Sequence, residues 1–157
     1  MPSRRELIGL TDSEVQEFLA AQRTLIIVSN GVDGYPHPMP MWFSVDDAGL
    51  LYCTTFSKSQ KVLNWRRDPR ASLLVETGEV YSELKAVLIY ANTEVIDDFE
   101  SVCDGLVLIS SRGKKLSKEE QVKARESVAE NARKRVLLKF APERYITWDH
   151  SKLNGVY

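Results

Sequence analysis

The chain's pattern predicts a mainly β, α+β domain, a closed antiparallel barrel of six strands with helices added at three points. Three observations lead there. Apolar, β-branched or aromatic runs of strand length recur from Thr24 to Trp148. Turn-forming pairs such as Asn30-Gly31 and Asp33-Gly34 follow the first run. Helical periodicity breaks into the series at a few places instead of alternating with every strand.

Taken in order, Thr11-Asp12-Ser13-Glu14 reads as a capping box that opens a helix carrying Val15, Phe18 and Leu19 on one face. Thr24 to Ser29 is the first strand. A second returns from Pro36 to Val45, and its prolines at 36, 38 and 40 each remove a backbone donor. Such a strand belongs at an edge, or meets a ligand where another strand would lie. Asp46 to Gly49 turns the chain into a third strand, Leu50 to Phe56. From Ser59 to Arg67 the spacing is helical, and Asp68-Pro69 stops it. Ala71 to Glu76 is a fourth strand and Ala86 to Ile96 a long central one. Phe99 to Ile109 and Ser117 to Arg133 read as helices, the second with the capping pair Ser117 and Glu120, linked by Arg112-Gly113-Lys114-Lys115. Val136 to Phe140 and Tyr145 to Trp148 form a last strand interrupted at Ala141-Pro142.

The chain has 157 residues, enough for one core without disulfide or metal staples, so a single domain over 1–157 is expected, with residues 1–10 mobile. Lys plus Arg number 21 against 22 Asp plus Glu, a formal net charge of −1. No global field draws such a protein to nucleic acid or to a membrane, so any anion site must be local. Cys53 and Cys103 lack the spacing of a zinc site or redox pair and read as buried thiols. His37 and His150 give no metal-ligand spacing, and Ser110-Ser111 has no nucleophile-elbow context. With no signal-peptide pattern and no apolar run long enough to span a bilayer, a soluble cytoplasmic protein is expected.

Chemistry concentrates in Thr54-Thr55-Phe56-Ser57-Lys58-Ser59-Gln60-Lys61, where a strand runs into a helix start. A helix start presents unpaired backbone amides and the positive end of the helix dipole, which suits a phosphate. Ser57 and Ser59 offer hydroxyl donors, while Lys58 and Lys61, three apart, offer charge on one side of the first turn. The alternative makes the serines ordinary caps and the lysines a solvated face. No glycine-rich phosphate loop exists, which disfavours a P-loop or dinucleotide fold.

The succession PHPMPMWF, LYCTTFSKSQKVLNWRRDPRASLLVETG, YSELKAVLIYANTEVI and APERYITWDHSKLNGVY resembles the pyridoxamine 5′-phosphate oxidase-like split-barrel superfamily. More narrowly, it is similar to small actinobacterial members that use FMN or the deazaflavin F420. The resemblance runs from about Val15 to Tyr157 and is most specific in Lys-Val-Leu-Asn-Trp-Arg-Arg-Asp-Pro-Arg and in Trp-Asp-His. It implies a six-stranded antiparallel split β-barrel and a homodimer with cofactor sites at the interface. It also implies that Pro38, Met39, Pro40, Met41 and Trp42 edge the flavin ring and that Thr54 and Thr55 contact ring or ribityl oxygens. Ser59, Lys61 and Asn64 would surround the phosphate, with Lys61 foremost. The chain departs from the family pattern at Ser59, where many relatives carry arginine, and at Lys85-Ala86-Val87 and Ala91-Asn92, where relatives often have glycine.

The expected activity is therefore an FMN- or F420-dependent oxidoreductase moving a hydride to or from a small, planar, apolar substrate, with no side chain assigned as catalytic. Met39, Met41, Trp42 and Phe43 suit the dry wall of such a site, and Arg66, Arg67 and Arg70 are candidates for the acidic tail of F420. Trp65 is expected in the core, while Trp42 and Trp148 are open between core and cofactor. Asp149 and His150 either line the substrate side or tie down the tail. A cofactor or haem storage protein without rapid turnover is the alternative from another class, and a purely structural interaction domain a third.

Overall fold

The computed structural model describes residues 4–153. Residues 1–3, part of the segment expected to be mobile, and 154–157, the end of the tail, lie outside the described residues. The elements are α1 (Arg4–Ile8), α2 (Asp12–Ala21), β1 (Thr24–Asn30), β2 (Pro36–Trp42), β3 (Ser44–Val45), β4 (Leu51–Phe56), α3 (Gln60–Arg67), β5 (Arg70–Thr77), β6 (Lys85–Ile96), α4 (Phe99–Ser110), α5 (Lys118–Ala132) and β7 (Arg135–Asp149). Short 3-10 turns at Tyr81–Glu83 and His150–Leu153 complete them. Both capping boxes form, Thr11 with Glu14 and Ser117 with Glu120. Within residues 1–10, the backbone amide of Leu10 donates to Thr147 Oγ1 at 2.9 Å, and Lys152 Nζ donates to the Gly9 carbonyl at 2.8 Å.

All pairings are antiparallel and the sheet runs β2-β1-β5-β6-β7-β4-β3. Its two outer strands are one stretch of chain. Residues 36–45, expected as a single strand, bend at Phe43, so that β2 edges one end of the sheet beside β1 and β3 edges the other beside β4. The sheet therefore curls until its ends meet at Phe43, whose amide donates to the Arg23 carbonyl at 3.2 Å. Six expected strands become seven segments by that bend. Away from it, β2 and β4 carry no ladder to each other, and this is the split of the barrel.

The interior is packed by alternate residues of the strands, among them Leu25, Ile27, Leu51, Cys53, Leu73, Val75, Val87, Ile89, Val136, Leu138 and Phe140. Helix α3 plugs one end with Val62 and Trp65, the latter edge-on to Phe140 with ring centroids 5.4 Å apart. The indole expected in the core is there. A second cluster, Val102, Cys103, Ala132 and Leu137 with Tyr52 and Ile96, seats the α4–α5 pair on the outer face of β4 and β7. Gly105 allows that seating, because a Cβ there would run into Leu137. Both cysteines are buried and free.

The last strand is continuous where an interruption was expected. Tyr90 pairs with Arg144 but Ala91 with Pro142, so Glu143 is an extra residue in β7. A β-bulge absorbs the proline without ending the ladder.

Candidate functional site

Strand β4 ends at Phe56, and two backbone bonds shape the turn that follows. The Ser57 amide donates to the Lys134 carbonyl and the Ser59 amide to the Phe56 carbonyl, each at 3.0 Å. Ser59 is the N-cap of α3, yet its hydroxyl does not cap the helix; it lies 3.3 Å from Thr55 Oγ1. The Val62 amide donates to the Ser59 carbonyl at 3.0 Å, so of the first-turn amides those of Gln60 and Lys61 keep their outward capacity.

Lys61 is 7% exposed and pairs with no carboxylate among the described residues. Burial, then the nearby Arg135 guanidinium, pushes its ammonium below the ordinary lysine value, and Cys53 opposes this weakly. Arg135 has no carboxylate partner either. Its Nε donates to Asn131 Oδ1 at 2.8 Å and one terminal nitrogen to the Thr54 carbonyl at 3.5 Å, while the guanidinium lies 4.5 Å from the Phe56 ring. Two cations with no anion between them are costly to hold close in a protein interior, and an oxyanion ligand relieves that cost. Cys53 is no competing nucleophile, because burial drives its thiol far above the usual range.

The remaining predicted residues divide. Ser57 and Lys58 are exposed on the turn. Because α3 begins at Gln60, Lys58 precedes the N-cap and does not share the first turn with Lys61. Asn64 is fully buried, donating to Ser29 Oγ at 2.9 Å and accepting from Gln60 Nε2 at 3.0 Å, so its side chain ties α3 to β1. Strand alternation separates the expected ring contacts by face. Met39 and Met41 pack against the barrel interior, whereas Pro38, Pro40 and Trp42 face outward. Thr55 shares the inner side of β4 with Cys53, and Thr54 takes the outer side.

A groove of about 490 Å³ covers the split between β2 and β4 and brings Pro40, Met41, Trp42 and Thr54 together. Its roof is Leu106 and Ile109 of α4 with Val128 of α5, and Asn131 and Arg135 join Thr54 at its base. Arg23 lies over Trp42 at 3.8 Å from the ring centroid. Arg23, Arg135 and the helical roof were not anticipated from sequence. Arg135 stands opposite Phe56 only through the β4–β7 ladder, a pairing some 80 residues apart that no local pattern announces.

Other candidates are engaged elsewhere. Arg66 binds Asp97 at 2.8 and 2.9 Å, Arg70 binds Asp68 at 2.9 and 2.7 Å, and Arg67 donates to the Asn30 carbonyl. Two of the three are ion-paired and Arg67 is tied to the backbone, so the cluster is not simply solvated. Asp149 accepts from the Ser151 hydroxyl at 2.6 Å and faces Lys85 at 3.3 Å; burial would raise its carboxyl, but Ser151 and Lys85 outweigh it and hold it low. His150 Nδ1 lies 2.8 Å from the Tyr81 carbonyl. Both residues tie down the tail. Trp148 is half-buried opposite Ala86, whose methyl is buried within the sheet. A larger groove of about 560 Å³ runs past Asn30, Asp68, Arg70, Tyr90 and Glu143, apart from Lys61. Among the described residues no cluster of His, Cys, Asp or Glu could hold a metal ion, and no helix is long and apolar enough to cross a membrane.

Comparison with known proteins agrees with this architecture. The family model for pyridoxamine 5′-phosphate oxidase matches residues 11–149. No curated protein matches the chain. Among solved structures, the conserved hypothetical protein Rv2991 from Mycobacterium tuberculosis is 31% identical with a TM-score of 0.84, covering 99% of this chain and 95% of that one. An F420 reductase superposes with a TM-score of 0.62 at 17% identity, over 92% of this chain and 98% of its own. HutZ, the haem storage protein of Vibrio cholerae, gives 0.63 at 16% identity, over 89% and 97%. With the family model spanning nearly the whole barrel and the fold curled as that family requires, the chain belongs to the pyridoxamine 5′-phosphate oxidase-like split-barrel superfamily.

Proposed function

We infer that the protein is an oxidoreductase that binds FMN or F420 across the barrel split, as a homodimer, and transfers a hydride between that cofactor and a small organic substrate. The observation that carries this reading is the buried Lys61 ammonium, held beside Arg135 without any carboxylate partner. A phosphate suits the start of α3, because the Gln60 and Lys61 amides and the buried Lys61 ammonium lie in its first turn and the Ser59 hydroxyl, shared with Thr55, could add a donor. Lys61, Arg135 and Ser59 would hold the phosphate, and Thr54, Pro40 and Trp42 would orient the ring. Leu106, Ile109 and Val128 would exclude water above it, with a second copy of the chain covering the side where Trp42 is 59% exposed. When bound, the ring supplies the hydride chemistry, which no side chain of the groove offers.

A storage role for the cofactor or for haem is the second reading. For the cofactor it is favoured by one observation: the groove lining contains no histidine, cysteine, aspartate or glutamate to act as acid or base, and the same lack offers haem no strong axial ligand there. Titration with FMN and with F420, followed by visible spectroscopy and reduction with a nicotinamide or reduced-F420 system, tests both readings. Reduction and reoxidation by an acceptor are expected; a bound ring inert to every donor would favour storage. Lys61→Ala should weaken cofactor binding by about 1–3 kcal/mol, the range for a lost charge-assisted contact. Unchanged affinity would remove the assignment of this corner.

A further inference from the structure

Arg23 is an exposed arginine that stacks on Trp42 and has no carboxylate partner among the described residues. It immediately precedes β1, and its carbonyl accepts from the Phe43 amide at the seam where the barrel closes. Thr24, the next residue, pairs with Trp42, and the Arg23 guanidinium reaches the indole, 3.8 Å from the ring centroid. A cation–π contact of this kind fixes the plane of the group while leaving its N–H edges free. Those edges donate to no described residue, and Arg23 belongs to no ion pair. Arg66 and Arg70, in contrast, each grip a carboxylate with two hydrogen bonds.

The groove that Arg23 borders contains no acidic residue. Its charge comes from Arg23 and Arg135, and its walls are otherwise mostly apolar, with Trp42, Pro40, Leu106, Ile109 and Val128 facing the space. A cleft lined by one sign of charge between low-dielectric walls concentrates ligands of the other sign. The volume, about 490 Å³, is that of a small-molecule site. Lying between a sheet face and a helix pair, it suits a flat ligand better than a globular one. Arg135 is near enough to Lys61 to act on its charge, so it belongs to the phosphate corner. Arg23 carries no such load.

We propose that Arg23 is a specificity residue of the groove, binding the carboxylate of a planar, otherwise apolar organic acid whose ring lies between the α4–α5 roof and the seat inferred for the cofactor ring. Arg23 supplies the paired N–H donors that a carboxylate accepts in bidentate fashion, and Trp42 positions Arg23. As the substrate class of the oxidoreductase, this rests on the function inferred above; as a binding preference of the groove, it is measurable without any redox activity.

The probes are 2-naphthoate and its uncharged amide of the same shape, 2-naphthamide. Each is titrated into the full-length protein, with and without FMN or F420, by calorimetry and tryptophan emission. The acid should bind about tenfold or more tightly than the amide, the size of one charge-assisted pair. Arg23→Gln should abolish that preference while leaving naphthamide and cofactor affinity unchanged, which also reports that the variant is folded. Trp42→Ala should reduce the preference by freeing the guanidinium, and Lys61→Ala should leave it in place. Equal affinity for the two probes in the wild-type protein, or a preference that survives Arg23→Gln, overturns the proposal. Loss of cofactor binding with the acid preference intact would sink the oxidoreductase reading alone, and cofactor binding without an acid preference would sink this one alone.

Discussion

Lys61 shows at the residue scale how a buried charge can oppose stability. Its folded-state ammonium is pushed below the ordinary value of 10.5 by burial and then by Arg135. Between that lowered value and 10.5 the unfolded chain holds the proton better than the folded one, so this residue's contribution makes the protein more stable as pH rises through that window. Removing the charge should act in the same direction. Lys61→Met is expected to raise the unfolding free energy of the ligand-free protein, and with it the urea midpoint, by about 0.5–2 kcal/mol in free energy, the range of a single stabilising substitution. It should at the same time abolish the stabilisation expected of inorganic phosphate or FMN in the wild type. A lower midpoint would show that the ammonium is already compensated. Asp68 runs the other way. Hydrogen bonds from Arg70, then from Asn30, hold its carboxyl well below the usual 3.8. Its contribution is fully present above 3.8 and is lost as pH falls through the lowered folded value. Asp68→Asn should therefore flatten the acid limb of a stability profile measured from pH 5 to pH 2, and an unchanged limb would assign acid sensitivity to other carboxyls.

At the scale of elements, the close contact between α4 and β7 decides whether the groove has a roof. Gly105 meets Leu137 so closely that any side chain must displace it, and Leu137 is itself buried in the cluster beneath α4. Gly105→Val is expected to cost about 1–3 kcal/mol by overpacking. It should also lift Leu106 and Ile109 from the groove, so that affinity for planar ligands falls along with the thermal midpoint. A midpoint that falls while ligand affinity holds would detach the roof from binding. The elements themselves were largely legible in the sequence, because Thr11 to Glu14 and Ser117 to Glu120 announce helix starts and the β-branched runs announce strands. The continuity of β7 was not. Ala141-Pro142 looks like a break until the bulge at Glu143 accommodates it, and a bulge depends on the partner strand, which local pattern does not reveal. Lys61 could be singled out from its position at a helix start. Arg135 and Arg23 could not, since each joins the groove only through strand pairing or a stacked ring contributed by a distant segment.

For the whole molecule, the bend at Phe43 turns an open sheet into a barrel, and the split beside it lies beneath a groove. One prolyl-rich stretch therefore does two things: it closes the structure at one end, and by failing to pair at the other it leaves the opening over which the groove lies. The order of the strands adds a consequence for biosynthesis. Among the described residues, four strands on one side and two on the other join one ladder through β7, the last of the seven strands to be made. Until residues 135–149 emerge, β4 and β6 each present an unsatisfied inner flank, and the nascent chain must wait with its hydrophobic interior incomplete. Folding governed by so distant a final pairing belongs to the slow, high-contact-order regime. The waiting chain is also the form most exposed to strand-mediated self-association and to chaperone capture.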